Sequence, residues 1–381
     1  MAKQVQAIQP EEPPFRVYFS FFSIRNFLFA YFAVLIMGLL PFARQTPVLL
    51  QLLAFSLSAI FFGCYSRLST QPLFDKAAYA ESAKKITRGS ITKNNFFFGL
   101  TFLYYLINHT EYSVYLPLLR IPSLILGYIA TSSQLAAQLE GTAGTTPKYT
   151  LMIGSLKIQF SKYDVIGAIV AITPVVAFIF TEHWLLNNVI AYSITVYLIR
   201  KIRISGPIIG SNVLLAYLLY DVLVLRLTEN PISAALLQAS LPLKLHIPGG
   251  LADELKLHSY LGIEDIIIPG CLIAQCVEMD VDRIIKQFFI DKKASTKKDP
   301  VFFHWTFLGY LFGLITAYEV MVTTRQSQPV FMYIVPCCLI SLLFASFYYR
   351  SIKFVFSYDL VTQKQLQHQA FSDSAAKLKK N

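Results

Sequence analysis

IIGSNVLLAYLLYDVLVL, residues 208–225, is an apolar run of membrane-spanning length interrupted by one acidic residue, Asp221. A second aspartate, Asp265, stands in the apolar stretch SYLGIEDIIIPG, residues 259–270. A carboxylate in a lipid-spanning helix costs on the order of 2.5–3.5 kcal/mol even on lenient insertion scales, so it is usually there for function. Two such residues on neighbouring segments suggest a pair that shares one proton and works as acid and base.

The whole chain has the composition of a polytopic helical membrane protein. Of its 381 residues, 55% are hydrophobic and only 14% are charged, and the mean hydropathy is +0.52. These values are far from those of a soluble domain. Apolar runs of spanning length recur along the chain, and we predict ten segments, at about 26–43, 48–66, 94–107, 113–133, 164–181, 184–200, 206–227, 259–278, 301–323 and 328–350.

The net charge is +11, and the basic residues lie mainly in the loops between these segments, at 67–93, 200–203 and 283–298, and in the C-terminal tail. Ten alternating crossings put all of these on one side, which the positive-inside bias makes cytosolic. The long loop 228–258 then lies on the opposite side. Alternatively, segment 26–43 is a cleaved signal sequence ending near Ala43, which leaves nine spans. No nucleic-acid-binding motif is present, so we predict no nucleic-acid partner.

Three motifs give the chain a resemblance to signal peptide peptidase, an intramembrane aspartyl protease related to presenilin. Tyr220-Asp221, Gly262-Ile263-Glu264-Asp265 and Gln328-Pro329-Val330-Phe331 are similar in order and spacing to the YD, GxGD and QPAL elements of that family. HWLLNN at 183–188 and LPLKLHIP at 241–248 support the comparison, which extends from about residue 48 to the C-terminus. The resemblance implies an all-α, nine-span core with an extra N-terminal hydrophobic segment.

The family comparison assigns Asp221 and Asp265 to a catalytic pair. One carboxylate takes a proton from water while the other, protonated, polarises the scissile carbonyl. Transmembrane helices such as leftover signal peptides or single-span anchors would be the substrates. The residues expected to support the site are those of the three motifs: Tyr220, Gly262, Glu264, Gln328, Pro329 and Val330. Gly262 would let helices approach closely, and Pro329, which has no N–H, would loosen the start of the last span.

The chain departs from the family pattern at two places. Glu264 stands where the family has a glycine before its second aspartate, and Val330-Phe331 replaces Ala-Leu. Glu264 adds a third carboxyl beside the pair and could block substrate, shift the proton count, or point into another gap. Two alternatives therefore stay open: a catalytically impaired pseudoprotease that binds membrane helices, and a proton-coupled transporter that uses the aspartates as a relay.

The resemblance also organises the chain into four parts. We predict a tail and extra segment at 1–47, an N-terminal bundle at 48–200, a catalytic bundle at 201–350, and a disordered cytosolic tail at 351–381. In loop 228–258, residues 243–247 could form a short strand that pairs with the backbone of an unwound substrate, with Leu243, Lys244 and Leu245 as the substrate-binding residues.

Partners and location complete the sequence-based expectations. The histidines show no metal-ligand spacing, and we assign neither a metal nor a cofactor. The expected partners are transmembrane-helix substrates and the lipid bilayer, and a homo-oligomer stays open. Lys377 and Lys379, near the C-terminal end, resemble a dilysine retrieval signal. They predict a multi-pass protein of the endoplasmic reticulum membrane with a cytosolic C-terminus.

Overall fold

A computed structural model describes residues 48–69, 90–91, 112–143, 149–153, 156–227, 241–247, 259–289, 301–324 and 328–360. Two predicted segments, 26–43 and 94–107, lie outside the described residues, as do the lysines at 377 and 379. The extra N-terminal segment and the retrieval signal therefore stay predictions.

The described part of the chain is mostly helical. Its helices are α1 (Val48–Ser69), α2 (Tyr112–Ala143), α3 (Lys162–Thr181), α4 (Trp184–Lys201), α5 (Pro207–Leu227), α6 (Glu264–Phe289), α7 (Val301–Thr324), α8 (Phe331–Tyr348) and α9 (Ile352–Ser357). Its strands are β1 (Ser90–Ile91), β2 (Tyr149–Ile153), β3 (Leu156–Phe160), β4 (Arg203–Ile204), β5 (Lys244–Ile247) and β6 (Ser259–Gly262). They form three two-stranded sheets: parallel β1–β4, and antiparallel β2–β3 and β5–β6.

Four of these helices are long and apolar enough to cross a membrane, namely Val48–Arg67, Lys162–Thr181, Val301–Thr324 and Phe331–Tyr348. The apolar part of α5, Pro207–Val222, is shorter. The prediction of an all-α membrane fold is confirmed. Two segments differ from their predicted bounds. Helix α2 continues past residue 133 to Ala143. The segment predicted at 259–278 begins as strand β6, and α6 starts at Glu264 and continues past residue 278 to Phe289.

Helix α6 is the centre of the bundle. Every residue from Pro269 to Asp282 is buried, and the helix packs against α1, α4, α5, α7 and α8. Because α6 has neighbours on all sides, its middle turns are buried around the whole circumference. Glu264 and Asp265 therefore begin a helix that five other helices hold in place.

Three buried acidic residues near the end of α6 bind three different parts of the fold. Glu278 accepts two hydrogen bonds from Arg67 of α1, at 2.9 and 3.2 Å, and one of 2.6 Å from Arg203 of β4. Asp280 accepts a 2.9 Å hydrogen bond from the backbone N–H of Phe303 at the start of α7. Charges can be buried at this depth only because each is paired or hydrogen-bonded.

The third of these acids corrects the predicted start of the disordered tail. Asp282 accepts a 2.6 Å hydrogen bond from the Tyr358 hydroxyl, and the Leu360 N–H donates to the Ser205 carbonyl at 2.6 Å. Residues 351–360 thus belong to the packed fold. Val355, Tyr358 and Leu360 are buried, and their apolar surface is what holds the segment against the bundle.

Candidate active site

The two aspartates singled out in the sequence lie on adjacent helices. Asp221 is in α5, and Asp265 is in the first turn of α6. The α5 and α6 helices pack against each other, and Asp265 interacts electrostatically with Asp221. Both side chains are partly exposed, in contrast to the fully buried acids near the end of α6. Two carboxyls that interact in this way cannot both ionise freely, which is the condition for sharing a proton.

Each aspartate has a backbone amide nearby. The amide of Phe331, the first residue of α8, lies near the Asp221 carboxyl, and the amide of Gly262 lies near the Asp265 carboxyl. The first contact places the motif Gln328, Pro329 and Val330 beside the pair, because these residues lead directly into α8. Amides at a helix N-terminus have no intrahelical partner, so they are available to a carboxylate.

Pro269 acts on the same turn of α6. Proline has no N–H, so the carbonyl of the residue four positions earlier, Asp265, lacks its usual helical donor. Tyr220 precedes Asp221 in α5, and its side chain is half-buried. The YD, GxGD-like and QP elements therefore meet at one end of the bundle, although they come from three separate helices.

Glu264 lies near both aspartates. It interacts electrostatically with Asp221, and Asp265 feels its charge as well. Residue Glu264 is exposed to solvent. Whether Glu264 blocks substrate, shifts the proton count or only fills a gap stays a prediction.

Gly262 has a different role from the one predicted. It does not separate two helices but ends strand β6, and the Glu264 carboxyl folds back over it. A β-carbon at Gly262 would lie 2.5 Å from Cδ and 2.8 Å from Oε2 of Glu264. Real β-carbons do not approach other atoms so closely, so the carboxyl occupies the space that a side chain at 262 would take.

The sheet formed by β5 and β6 lies directly before Asp265. Lys244 pairs with Gly262, and His246 pairs with Tyr260. Side chains alternate between the two faces of a sheet. One face carries Leu245, Leu261 and Ile263, which are all buried in the core. The other face carries Lys244, His246 and Tyr260, which are all half-buried, and it also receives the Glu264 carboxyl.

Two asparagines of α4 hold the outer edge of β5. Asn187 Nδ2 donates to the Lys244 carbonyl at 2.7 Å. Asn188 bonds His246 twice: its Nδ2 donates to the carbonyl at 2.7 Å, and its Oδ1 accepts from the N–H at 2.8 Å. Both asparagines are buried. The outer edge of β5 is therefore already hydrogen-bonded to the protein itself.

These asparagines are site residues that the sequence-based assignment did not include. HWLLNN was noted only as a supporting stretch, but two adjacent amides in an otherwise apolar helix were a usable signal, because buried amides need partners. Tyr310 of α7 was also missed; it is buried, and it interacts electrostatically with Asp265. A tyrosine within an apolar span carries no comparable signal in the sequence. Within the described ranges, no group of three or more histidine, cysteine or acidic side chains could hold a metal ion.

Comparisons with known proteins agree with the motifs. A family model described as signal peptide peptidase matches residues 90–362. The chain is 30% identical to "Intramembrane protease 2" of Caenorhabditis elegans over 190 residues, which cover 48% of this chain and 40% of that protein. It is 29% identical to "Signal peptide peptidase-like 1" of Oryza sativa over 210 residues, covering 45% and 56%.

The human protein "Signal peptide peptidase" is 25% identical to this chain over 166 residues, which cover 42% of the chain and 40% of the human protein. The chain thus spans about half the length of these relatives. No solved structure matches the chain significantly.

Proposed function

Because the chain belongs to the signal peptide peptidase family, we propose that it is an intramembrane aspartyl endopeptidase with Asp221 and Asp265 as its catalytic pair. One carboxylate takes the proton from the attacking water, and the protonated partner polarises the scissile carbonyl. The observation that carries this proposal is the placement of the two aspartates on the packed helices α5 and α6, close enough to interact electrostatically.

A backbone amide lies near each carboxyl. The N–H groups of Phe331 and Gly262 are placed to donate to Asp221 and Asp265, respectively. A carboxylate that accepts such a bond is held in one orientation, which a general base needs if it is to reach a water molecule repeatedly. The proposed support residues Tyr220, Gln328, Pro329 and Val330 act through this placement.

The substrates we propose are transmembrane helices, such as leftover signal peptides or single-span anchors. A helix hides its carbonyls in hydrogen bonds, so it must unwind locally before water can attack. An unwound segment can bond to the edge of a sheet. The outer edge of β5 is bonded to Asn187 and Asn188, so we revise the predicted contact at Leu243, Lys244 and Leu245.

Strand β6 is the better platform for the substrate. It is the second edge of the two-stranded sheet, and its last residue, Gly262, lies three residues before Asp265 with its backbone amide near that carboxyl. A substrate strand laid along β6 would therefore bring its backbone to the catalytic pair. In this arrangement Lys244 and Leu245 support β6 from behind.

The proposal is tested with purified full-length protein in detergent and a peptide containing a signal-peptide-like transmembrane helix. Cleavage should be measured for the wild type, Asp221→Asn and Asp265→Asn, with and without an aspartyl-protease transition-state analogue. We expect both substitutions and the analogue to abolish cleavage, because either carboxyl alone cannot act as acid and base together. The substitutions are nearly isosteric, so the thermal unfolding midpoint should change little.

Two results would count against the proposal. If the Asp265→Asn variant cleaves the peptide at the wild-type rate, Asp221 and Asp265 are not the catalytic pair. If the wild-type protein binds the peptide without cutting it, the alternative of a catalytically impaired pseudoprotease is favoured. The position of Glu264 beside the aspartate pair is the observation that supports this alternative.

A further inference from the structure

Glu264 takes the place of the side chain that Gly262 lacks. Its carboxyl lies where a β-carbon of residue 262 would project, 2.5 Å from that position at Cδ and 2.8 Å at Oε2. The face of the β5–β6 sheet at this register position consequently ends in a carboxylate, even though the strand itself carries glycine there.

A strand added along β6 would place one of its residues beside Gly262. Residues that lie directly opposite each other in neighbouring strands project to the same face, with their β-carbons about 4.5–5.5 Å apart. The substrate side chain at this position would therefore meet the Glu264 carboxyl. Because Glu264 is exposed, a side chain that arrives from the open side can reach it.

Lys244, His246 and Tyr260 lie on the same face as the Glu264 carboxyl. Lys244 of β5 is paired with Gly262 of β6, and its Nζ lies 4.6 Å from the centre of the Tyr260 ring. His246 stacks on the same ring, with 4.8 Å between ring centres. A substrate strand would approach Gly262 from the side of β6 opposite Lys244, and the Glu264 carboxyl lies over Gly262 itself.

We propose that Glu264 is a specificity-determining residue that selects substrates with a lysine or arginine at the position beside Gly262. This inference rests on the proposed function and adds the substrate class to it. A cation there gains an opposite charge in a partly desolvated site, where such pairs are stronger than in bulk water. An apolar or acidic substrate side chain at that position offers the Glu264 carboxyl neither an opposite charge nor a hydrogen-bond donor.

The test uses transmembrane peptides that differ at one residue, moved stepwise through the four positions on either side of the scissile bond. Each position carries lysine, norleucine or glutamate. For the wild-type protein we expect one position where kcat/KM is about tenfold higher with lysine than with norleucine, and lowest with glutamate. Glu264→Gln and Glu264→Gly should both bring the lysine-to-norleucine ratio at that position to about 1.

Lys244→Gln is the matched control. It removes a charge of opposite sign from the same face, so it should raise the preference for lysine, whereas a general effect of disturbing the sheet would lower it. If the lysine-to-norleucine ratio of kcat/KM at every peptide position is the same for the wild type as for Glu264→Gln, the inference is overturned.

Binding keeps the inference testable if no peptide is cut. The same lysine and norleucine peptides should compete for the Asp265→Asn protein, and the lysine peptide should bind more tightly by a similar factor. Adding Glu264→Gln should remove that difference. If both peptides bind the Asp265→Asn protein equally well, the inference is overturned. If the lysine peptide binds more tightly but the wild-type protein cuts neither peptide, only the proposed proteolysis is overturned.

Discussion

At the scale of the residue, Gly262 and Glu264 form one unit. The family pattern has a glycine at position 264, and this chain has a glutamate whose carboxyl needs room. The glycine at 262 supplies that room, since any β-carbon there would collide with the carboxyl. The two positions are therefore expected to depend on each other energetically, as residues in direct contact do.

Gly262→Ala should lower kcat/KM in the wild-type background, because the new methyl group displaces the Glu264 carboxyl. In a protein that already carries Glu264→Gly, the same alanine should cost much less. We expect a coupling of about 1–2 kcal/mol between the two substitutions, measured as kcat/KM of the wild type, both single variants and the double variant. Simply additive effects would show that the carboxyl does not occupy the space above Gly262.

At the scale of the element, strand β5 has its position set by α4. The buried amides of Asn187 and Asn188 bind its backbone at three points, and β5 in turn sets the register of β6 and hence of Gly262. A strand of four residues is too short to hold itself in place, so these side-chain bonds provide what a longer ladder would otherwise supply.

Asn188→Ala should reduce activity and stability more than Asn187→Ala does. The first substitution removes two hydrogen bonds to the backbone of His246, and the second removes one to the Lys244 carbonyl. A buried polar group that loses its partner costs about 1–3 kcal/mol. Thermal unfolding and kcat should both follow this order, and equal losses in the two variants would mean that β5 is held by something else.

The end of α6 provides the second prediction at this scale. Glu278→Ala leaves two cations, Arg67 and Arg203, facing each other without their shared carboxylate. Breaking a buried ion pair in this way typically costs about 3–5 kcal/mol. Glu182→Ala is the control, because it breaks a pair with Arg120 that is largely exposed and is worth about 1 kcal/mol or less.

The comparison is made by unfolding both variants in the same detergent. A similar small loss in each would show that water reaches Glu278 and that the cluster contributes little to holding α1, β4 and α6 together.

At the scale of the whole molecule, the bundle exposes apolar side chains that only a bilayer can cover. Helix α3 is the clearest case: Ile169, Val170 and Phe180 are exposed by 64%, 50% and 83%, in a helix of spanning length. An apolar surface of this kind on a soluble protein would aggregate. The outward residues therefore face lipid, while polar groups are collected around α6.

Location is the prediction that concerns the whole chain. If Lys377 and Lys379 form a dilysine signal on the cytosolic side, changing both to alanine should let a tagged protein leave the endoplasmic reticulum. Fractionation or imaging of the tagged variant measures this. Lys364→Ala, which changes a lysine elsewhere in the tail, is the matched control, and an Asp265→Asn protein controls for activity. If the double variant keeps the wild-type distribution, the signal for retention in the endoplasmic reticulum lies elsewhere in the chain.

Much of this protein was determined by its sequence alone. Hydropathy predicted the membrane class and the helices near their observed bounds, because a lipid-spanning helix must be apolar over its whole length. The two aspartates were visible for the same reason, since a charge in such a segment is costly and stands out. Their spacing in known motifs then identified the family.

Other features were decided only by the tertiary structure. The place of Glu264 above Gly262, the bonds from Asn187 and Asn188 to β5, and the clustering of Glu278 with Arg67 join residues that are far apart in the chain or folded back on each other. Strand β6 was missed because a short apolar run before a helix has the same composition as the helix. Long-range contacts of this kind depend on how the helices pack. A local sequence pattern does not indicate which partner a buried polar side chain will bind.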